Sequence, residues 1–225
     1  SSGKIKEAAD VYNSLIQKKI YDPRVFNNLG SIYSNLKQFD KAILLFDESI
    51  KKFPNSLEAY INLANLMIIK GKSDLAKKIL NKVIELNPNY LKPYSNLAGI
   101  FVGEGNFEKA EFFLRRSLEI NPKDINTLVN LACVLKDLGN PKQAERFLRD
   151  ALEINPKYDS ALVNLGAVLN ELGKIDEGEE FLKKALKINP NSPIALNNLG
   201  NILSKKNKNK EAELVYRKAI ELKSD

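Results

Sequence analysis

Five prolines, Pro54, Pro88, Pro122, Pro156 and Pro190, stand 34 residues apart. A small residue keeps the same step at Ala8, Ala42, Ala76, Ala110, Ala144, Gly178 and Ala212. So does a leucine, at Leu29, Leu63, Leu97, Leu131, Leu165 and Leu199, and it is followed at once by Gly30, Ala64, Ala98, Ala132, Gly166 and Gly200. No insertion breaks the register. A chain of this kind is one supersecondary unit stacked on itself, because no single unit can bury its apolar face alone.

The unit is a pair of helices. Within it apolar residues recur at helical spacing, as in Leu57, Tyr60, Ile61, Leu63, Ala64, Met67 and Ile68. Asp22, Ser56, Asp124 and Ser192 are suited to cap the first helix, and Pro23 and Pro193 fall at its permitted first position. Gly71, Gly105, Gly139 and Gly173 end that helix in a tight turn. Asn140–Pro141 would cap and start the second helix of one unit, and the Asn-Pro pairs from Asn87–Pro88 to Asn189–Pro190 stop second helices. The fold class is therefore all-α.

The residues also match a known pattern. One full unit reads Phe26, Leu29, Gly30, Tyr33, Ala42, Phe46, Ser49, Pro54. This resembles the tetratricopeptide repeat family over essentially the whole chain. The usual Trp slot holds Phe26, Tyr60, Tyr94, Leu128, Leu162 and Leu196 instead, all still large apolar anchors. The resemblance implies a right-handed superhelical solenoid of antiparallel helix pairs, about thirteen helices in all. The units are a half repeat at 3–22 and full repeats at 23–56, 57–90, 91–124, 125–158, 159–192 and 193–225. The first unit lacks its first helix, and Ser224–Asp225 stops where the next proline would fall. Neither end carries the polar cap such stacks normally have, so the chain reads as part of a longer stack or as one whose ends pair with another copy.

One polar column stands out. The residue before each recurring leucine is asparagine: Asn28, Asn62, Asn96, Asn130, Asn164 and Asn198. Asparagine is a poor helix former, so nothing local favours it there. By the resemblance this slot lies on the first helix and faces the inside of the superhelix. A primary amide offers an acceptor and two donors in one plane and so matches a peptide unit's C=O and N–H, whatever the guest's side chains. With layers about 10 Å apart and an extended chain advancing about 3.3–3.6 Å per residue, one asparagine meets roughly every third guest residue. The Asn-Leu-Gly/Ala triplets resemble the tetratricopeptide region of O-linked N-acetylglucosamine transferases, where such asparagines hold extended substrates. No glycosyltransferase portion is present in these 225 residues. The competing reading is that duplication copied the asparagines and that their amides merely hydrate a groove.

The same resemblance places three further columns in the groove: Arg24, Glu58, Lys92, Asn126 and Ser160; then Asn27, Ile61, Ser95, Val129, Val163 and Asn197; then Ser31, Asn65, Gly99, Cys133, Ala167 and Asn201. Their mixture implies loose side-chain selectivity, with Asn65 and Asn201 joining the peptide-binding set. The carboxylate clamp of related chaperone adaptors is incomplete, because its downstream Arg slot holds Asn130.

Composition removes other functions. There is no histidine and one cysteine, Cys133, so the usual general base, a metal site and an internal disulfide all lack their residues. No enzyme activity, cofactor or metal is expected. Cys133 reads as a packing residue, and Gly103–Glu104–Gly105 as a helix turn without the strand that phosphate-binding glycines follow. Phe112, Phe113, Phe147 and Phe181 read as core or second-helix surface. Asp47–Glu48 and Glu179–Glu180 read as solvated charges, and the basic run Lys205–Lys210 as a solvated turn. The net charge of +7 is spread along the chain, and no apolar run is long enough to span a membrane, so neither nucleic acid nor membrane is an expected partner. No secretory signal or Asn-x-Ser/Thr acceptor occurs, which suits a cytoplasmic setting.

The expected function is a protein-interaction scaffold that binds extended or disordered segments. The alternatives are the substrate-recruiting arm of a larger enzyme, such as a protein O-glycosyltransferase, and a module that self-associates through its uncapped ends.

Overall fold

The computed structural model describes residues 2–222, with side chains from Ile5 onward. Expectations attached to Ser1 and to Ser224–Asp225 lie outside the described residues. Thirteen helices and no strand are found among the described residues. They fall into two compact units, Ser1–Ile100 and Phe101–Asp225.

In the first unit α1 (Ser2–Gln17), α3 (Phe39–Lys52) and α5 (Ser73–Leu86) are second-type helices, while α2 (Pro23–Asn35), α4 (Leu57–Ile69) and most of α6 (Lys92–Gly103) are first-type helices. Here α2 packs against α1, α3 and α4, and α4 against α3 and α5. The second unit alternates α7 (Phe107–Ile120), α8 (Ile125–Asp137), α9 (Pro141–Ile154), α10 (Asp159–Glu171), α11 (Ile175–Ile188), α12 (Pro193–Lys205) and α13 (Asn209–Glu221). Each packs on the next, and the first helices α8, α10 and α12 also touch in sequence.

Local chemistry sets the helix ends. Asp22, Asp124 and Ser192 accept hydrogen bonds from the backbone N–H of Arg24, Thr127 and Ala195. Pro23, Pro141 and Pro193 open their helices. Ser56 and Asn140 stand at cap positions, but their side chains make no capping bond. Every turn inside a helix pair passes through one left-handed residue. Gly71, Gly105, Gly139 and Gly173 fill four of these positions, while Lys37 and Asn207 fill the other two at φ 57° and 60°. The Gln38 N–H then bonds the Tyr33 carbonyl and the Lys37 N–H bonds that of Ser34, which satisfies the carbonyls left open at the helix end.

Size matching holds each pair together. A Cβ on Gly30 would sit 2.5 Å from the Phe46 ring, and one on Gly200 would sit 2.5 Å from the Tyr216 ring. Alanine takes the same slot at Ala64, Ala98 and Ala132, where the residue sixteen further on is Leu80, Leu114 or Leu148. Glycine thus makes room for an aromatic ring, and alanine for leucine. Gly166 faces Leu182 but is joined by Gly178, whose own Cβ would come within 2.9 Å of the Gly166 carbonyl. The backbones of α10 and α11 therefore approach more closely than alanine at both positions would permit.

Charges latch successive layers. Lys70, at the end of α4, reaches back to Asp40 on α3 at 2.8 Å, and its repeat equivalent Lys206 reaches Asp176 on α11 at 2.7 Å. Lys206 also binds Glu179 at 2.7 Å, and Glu179 in turn binds Lys183 at 2.6 Å. Glu179 is only 7% exposed, so the expectation of a solvated pair at Glu179–Glu180 holds for Glu180 alone. Two lysines that converge on one carboxylate make its burial tolerable. Asp47 and Glu48 are likewise half-buried, and burial pushes the Asp47 carboxyl above its usual range. The basic run is more than a solvated turn, since Lys205 donates to the Asn170 carbonyl while Lys206 latches α11.

Candidate functional site

The asparagines before the recurring leucines sit in the middle of the first helices. In the first unit Asn62 and Asn96 are half-buried and Asn28 is exposed, and in the second unit Asn164 and Asn198 are half-buried and Asn130 is exposed. None is packed into the core, whereas the leucine after each is buried. Neighbouring residues on a helix differ by about 100° in direction, so the leucine turns into the stack and the asparagine away from it.

Their hydrogen-bond capacity is mostly unspent. The Asn28 amide donates to the Tyr12 hydroxyl at 3.0 Å, Asn96 to the Asn65 side-chain oxygen at 2.7 Å, and Asn164 to the Ser160 carbonyl at 2.9 Å. Asn62, Asn130 and Asn198 make no side-chain hydrogen bond among the described residues. Asn65 is thus tied to Asn96 by a direct bond, while Asn201 accepts from the Tyr216 hydroxyl at 2.7 Å.

The flanking columns divide. Arg24, Glu58, Lys92, Asn126 and Ser160 are exposed. Ser31, Asn65, Gly99, Cys133, Ala167 and Asn201 are exposed or half-buried. The column before the ladder is mostly turned inward: Asn27, Ile61, Val129 and Val163 are buried and Ser95 is half-buried, while Asn197 stays exposed. Residues i, i+4 and i+7 share one helix face, whereas i+3 of this set is rotated by about 100° from the ladder into the packing. Asn27 pays for this placement, as its side-chain oxygen is buried without a partner.

No group of His, Cys, Asp or Glu that could hold a metal occurs among the described residues. Cys133 is half-buried, and burial pushes its thiol up and away from the reactive thiolate. At the entry to α2, Asp22 is drawn down to about 2 by the hydrogen bonds from the Arg24 guanidinium and backbone, which leaves a neutralised pair rather than an acid. Phe112 is exposed and packs edge-on against Phe113, which stacks on Phe101. Among the described residues no helix is long and apolar enough to cross a membrane.

Among the described residues, hollows lie beside α2 and α4 and beside α12. One, of about 180 Å³, opens between α2 and α4 in the first unit beside Asn62 and Asn65. The other, of about 370 Å³, lies on α12 and α13 and is lined by Pro193, Ile194, Asn197, Tyr216, Ala219 and Ile220.

Known proteins share this architecture. Over 82 residues the chain is 35% identical to the BBSome complex member BBS4 of Bos taurus, a stretch covering 36% of this chain and 16% of that protein. The chain therefore spans about a sixth of that relative. Among solved structures, the Cut9–Hcn1 hetero-tetramer of APC/C matches all of this chain and 44% of its own at 19% identity, with a TM-score of 0.80. YrrB, a TPR protein with an unusual peptide-binding site, matches 80% of this chain and 93% of its own at 24% identity, with a TM-score of 0.64. At these identities the structures establish the fold. The C-terminal tetratricopeptide domain of cilia and flagella-associated protein 70 matches residues 4–225, and with the helix pairs, turns and size-matched columns above, the chain belongs to that tetratricopeptide family.

Proposed function

We propose that this chain, a scaffold suited to protein–protein interaction, holds extended segments of other proteins by their main chain through the asparagine ladder. The observation that carries the reading is the unspent amide capacity at Asn62, Asn130 and Asn198, which stand unburied in the middle of first helices with no internal partner. A protein that needed only a hydrated surface would gain helix stability from alanine there. The mixed chemistry of the flanking Arg24, Glu58, Lys92, Asn126 and Ser160 suits guests of varied sequence. The likeness to YrrB adds a precedent for peptide binding on a stack of this kind.

The test uses a peptide selected from a random 15-residue display library. Replacing Asn130 and Asn198, both in the second unit, with Ala removes no internal bond, so helicity should hold or rise. Each lost amide bond is worth roughly 1 kcal/mol, so the double variant should bind about thirtyfold more weakly. Unchanged affinity would remove the ladder from the binding surface.

A second reading is association through the α12–α13 face. Ile194 and Ile220 are each 66% exposed and line the 370 Å³ hollow, a strongly apolar feature for a surface. Light scattering over a concentration series should then show mass rising with concentration, and Ile220→Glu should abolish the rise.

A further inference from the structure

The hollow between α2 and α4 differs in chemistry from its repeat equivalents in the second unit. Its polar wall is Ser31, Ser34, Asn35, Asn62 and Asn65, and its apolar lining includes Phe46 and Ile69. No charged residue lines it. The repeat equivalents of Ser34 and Ile69 four units on are Asn170 and Lys205, and there the lysine ammonium donates to the Asn170 carbonyl and bridges α10 to α12. Between α8 and α10 the equivalents of Ser31 and Ser34 are Cys133 and Lys136. The α2–α4 cleft, by contrast with these two, is uncharged and lined by hydroxyls and amides.

Two of its groups have a fixed polarity. The Ser31 hydroxyl donates to the Asn27 carbonyl at 2.8 Å, so toward the cleft it can only accept. The Asn65 side-chain oxygen accepts from Asn96 at 2.7 Å, so its NH₂ is left to donate. An occupant must therefore present one acceptor and one donor. A volume of 180 Å³ holds about six waters, which is room for a medium side chain. A charged head would be desolvated with no counter-charge, and a wholly apolar one would strip water from Asn62, Asn65 and the serines without replacing it.

We infer that this cleft is a side-chain pocket of the peptide groove that selects glutamine in the guest. The guest amide oxygen accepts from Asn65, its NH₂ donates to Ser31, and its methylene stem lies against Ile69 and Leu66. This assignment rests on the groove holding an extended peptide, as proposed above, and it adds a sequence preference that the ladder alone does not give.

The experiment selects binders from the same random 15-residue library and measures the best by fluorescence anisotropy. A glutamine should recur at one position, and Gln→Leu or Gln→Glu there should weaken binding roughly tenfold, as expected for losing a buried hydrogen-bonded pair. On the Ser31→Ala/Asn65→Leu protein that penalty should vanish, while circular dichroism shows unchanged helicity. Ser31→Ala alone, a helix-favouring change, should remove part of it. Peptides with no recurring glutamine, or a penalty that survives the double substitution, would overturn the pocket and leave the ladder standing. Recovery of no peptide would overturn both.

Discussion

Gly30→Ala and Gly99→Ala are the same substitution in first-type helices of one unit, and they should move stability in opposite directions. An ideal Cβ on Gly99 meets nothing within 4 Å. The change there should yield the full helix-propensity gain of about 1 kcal/mol. An ideal Cβ on Gly30 lies 2.5, 2.8 and 2.9 Å from three atoms of the Phe46 ring. Carbon atoms prefer about 3.5–4.0 Å, and Phe46 is 1% exposed, with no free space to retreat into. Overpacking of this kind costs about 1–3 kcal/mol, and three contacts against a rigid ring point to its upper end. After the propensity gain is subtracted, Gly30→Ala should destabilise by about 2 kcal/mol. With a urea m-value of about 2 kcal/mol per molar, the midpoint followed by circular dichroism should fall by about 1 M. The Gly99→Ala midpoint should rise by about 0.5 M. Adding Phe46→Leu to Gly30→Ala rebuilds the alanine–leucine pairing of Ala64 and Leu80 and should recover about 1–2 kcal/mol of the loss. If Gly30→Ala raises the midpoint as Gly99→Ala does, or if Phe46→Leu makes it worse, the size-matching argument is wrong.

Three further outcomes are expected. Lys37→Gly should stabilise by about 0.5–1 kcal/mol in the same urea assay, because Lys37 holds a left-handed φ of 57° that Gly71, Gly105, Gly139 and Gly173 supply at the equivalent positions. Asn27→Val should stabilise by about 1–2 kcal/mol, because it removes a buried oxygen without a partner and installs the residue found at Val129 and Val163. Hydrogen bonds from Lys183 and then Lys206 draw the Glu179 carboxyl from 4.5 to about 2, so its contribution is present above pH 4.5 and is lost as pH falls toward 2. Acid titration of the thermal midpoint should therefore show a limb in that window, on the order of 1 kcal/mol because Lys183 is largely exposed, and Glu179→Gln should flatten it.

The sequence by itself determined the helix-pair repeat, the turns and the glycines in them. These depend on the 34-residue period, the spacing of apolar residues along a helix and backbone preferences at caps, all of which are local. It also singled out the ladder asparagines, since a polar residue kept beside a buried leucine has a direction set by helix geometry alone. What it misplaced depended on neighbours in other layers. Asn27, Ile61, Val129 and Val163 were expected on the groove, but a turn of about 100° from the ladder buries them against adjoining helices. Glu179 looked like one of two solvated acids until Lys206, from the next helix pair, closed over it. The polarity of the α2–α4 cleft likewise follows from two hydrogen bonds, one of which joins different layers. Tertiary structure decided these features because burial and charge pairing are set by whatever packs across from a residue, and that partner lies a full repeat away along the chain.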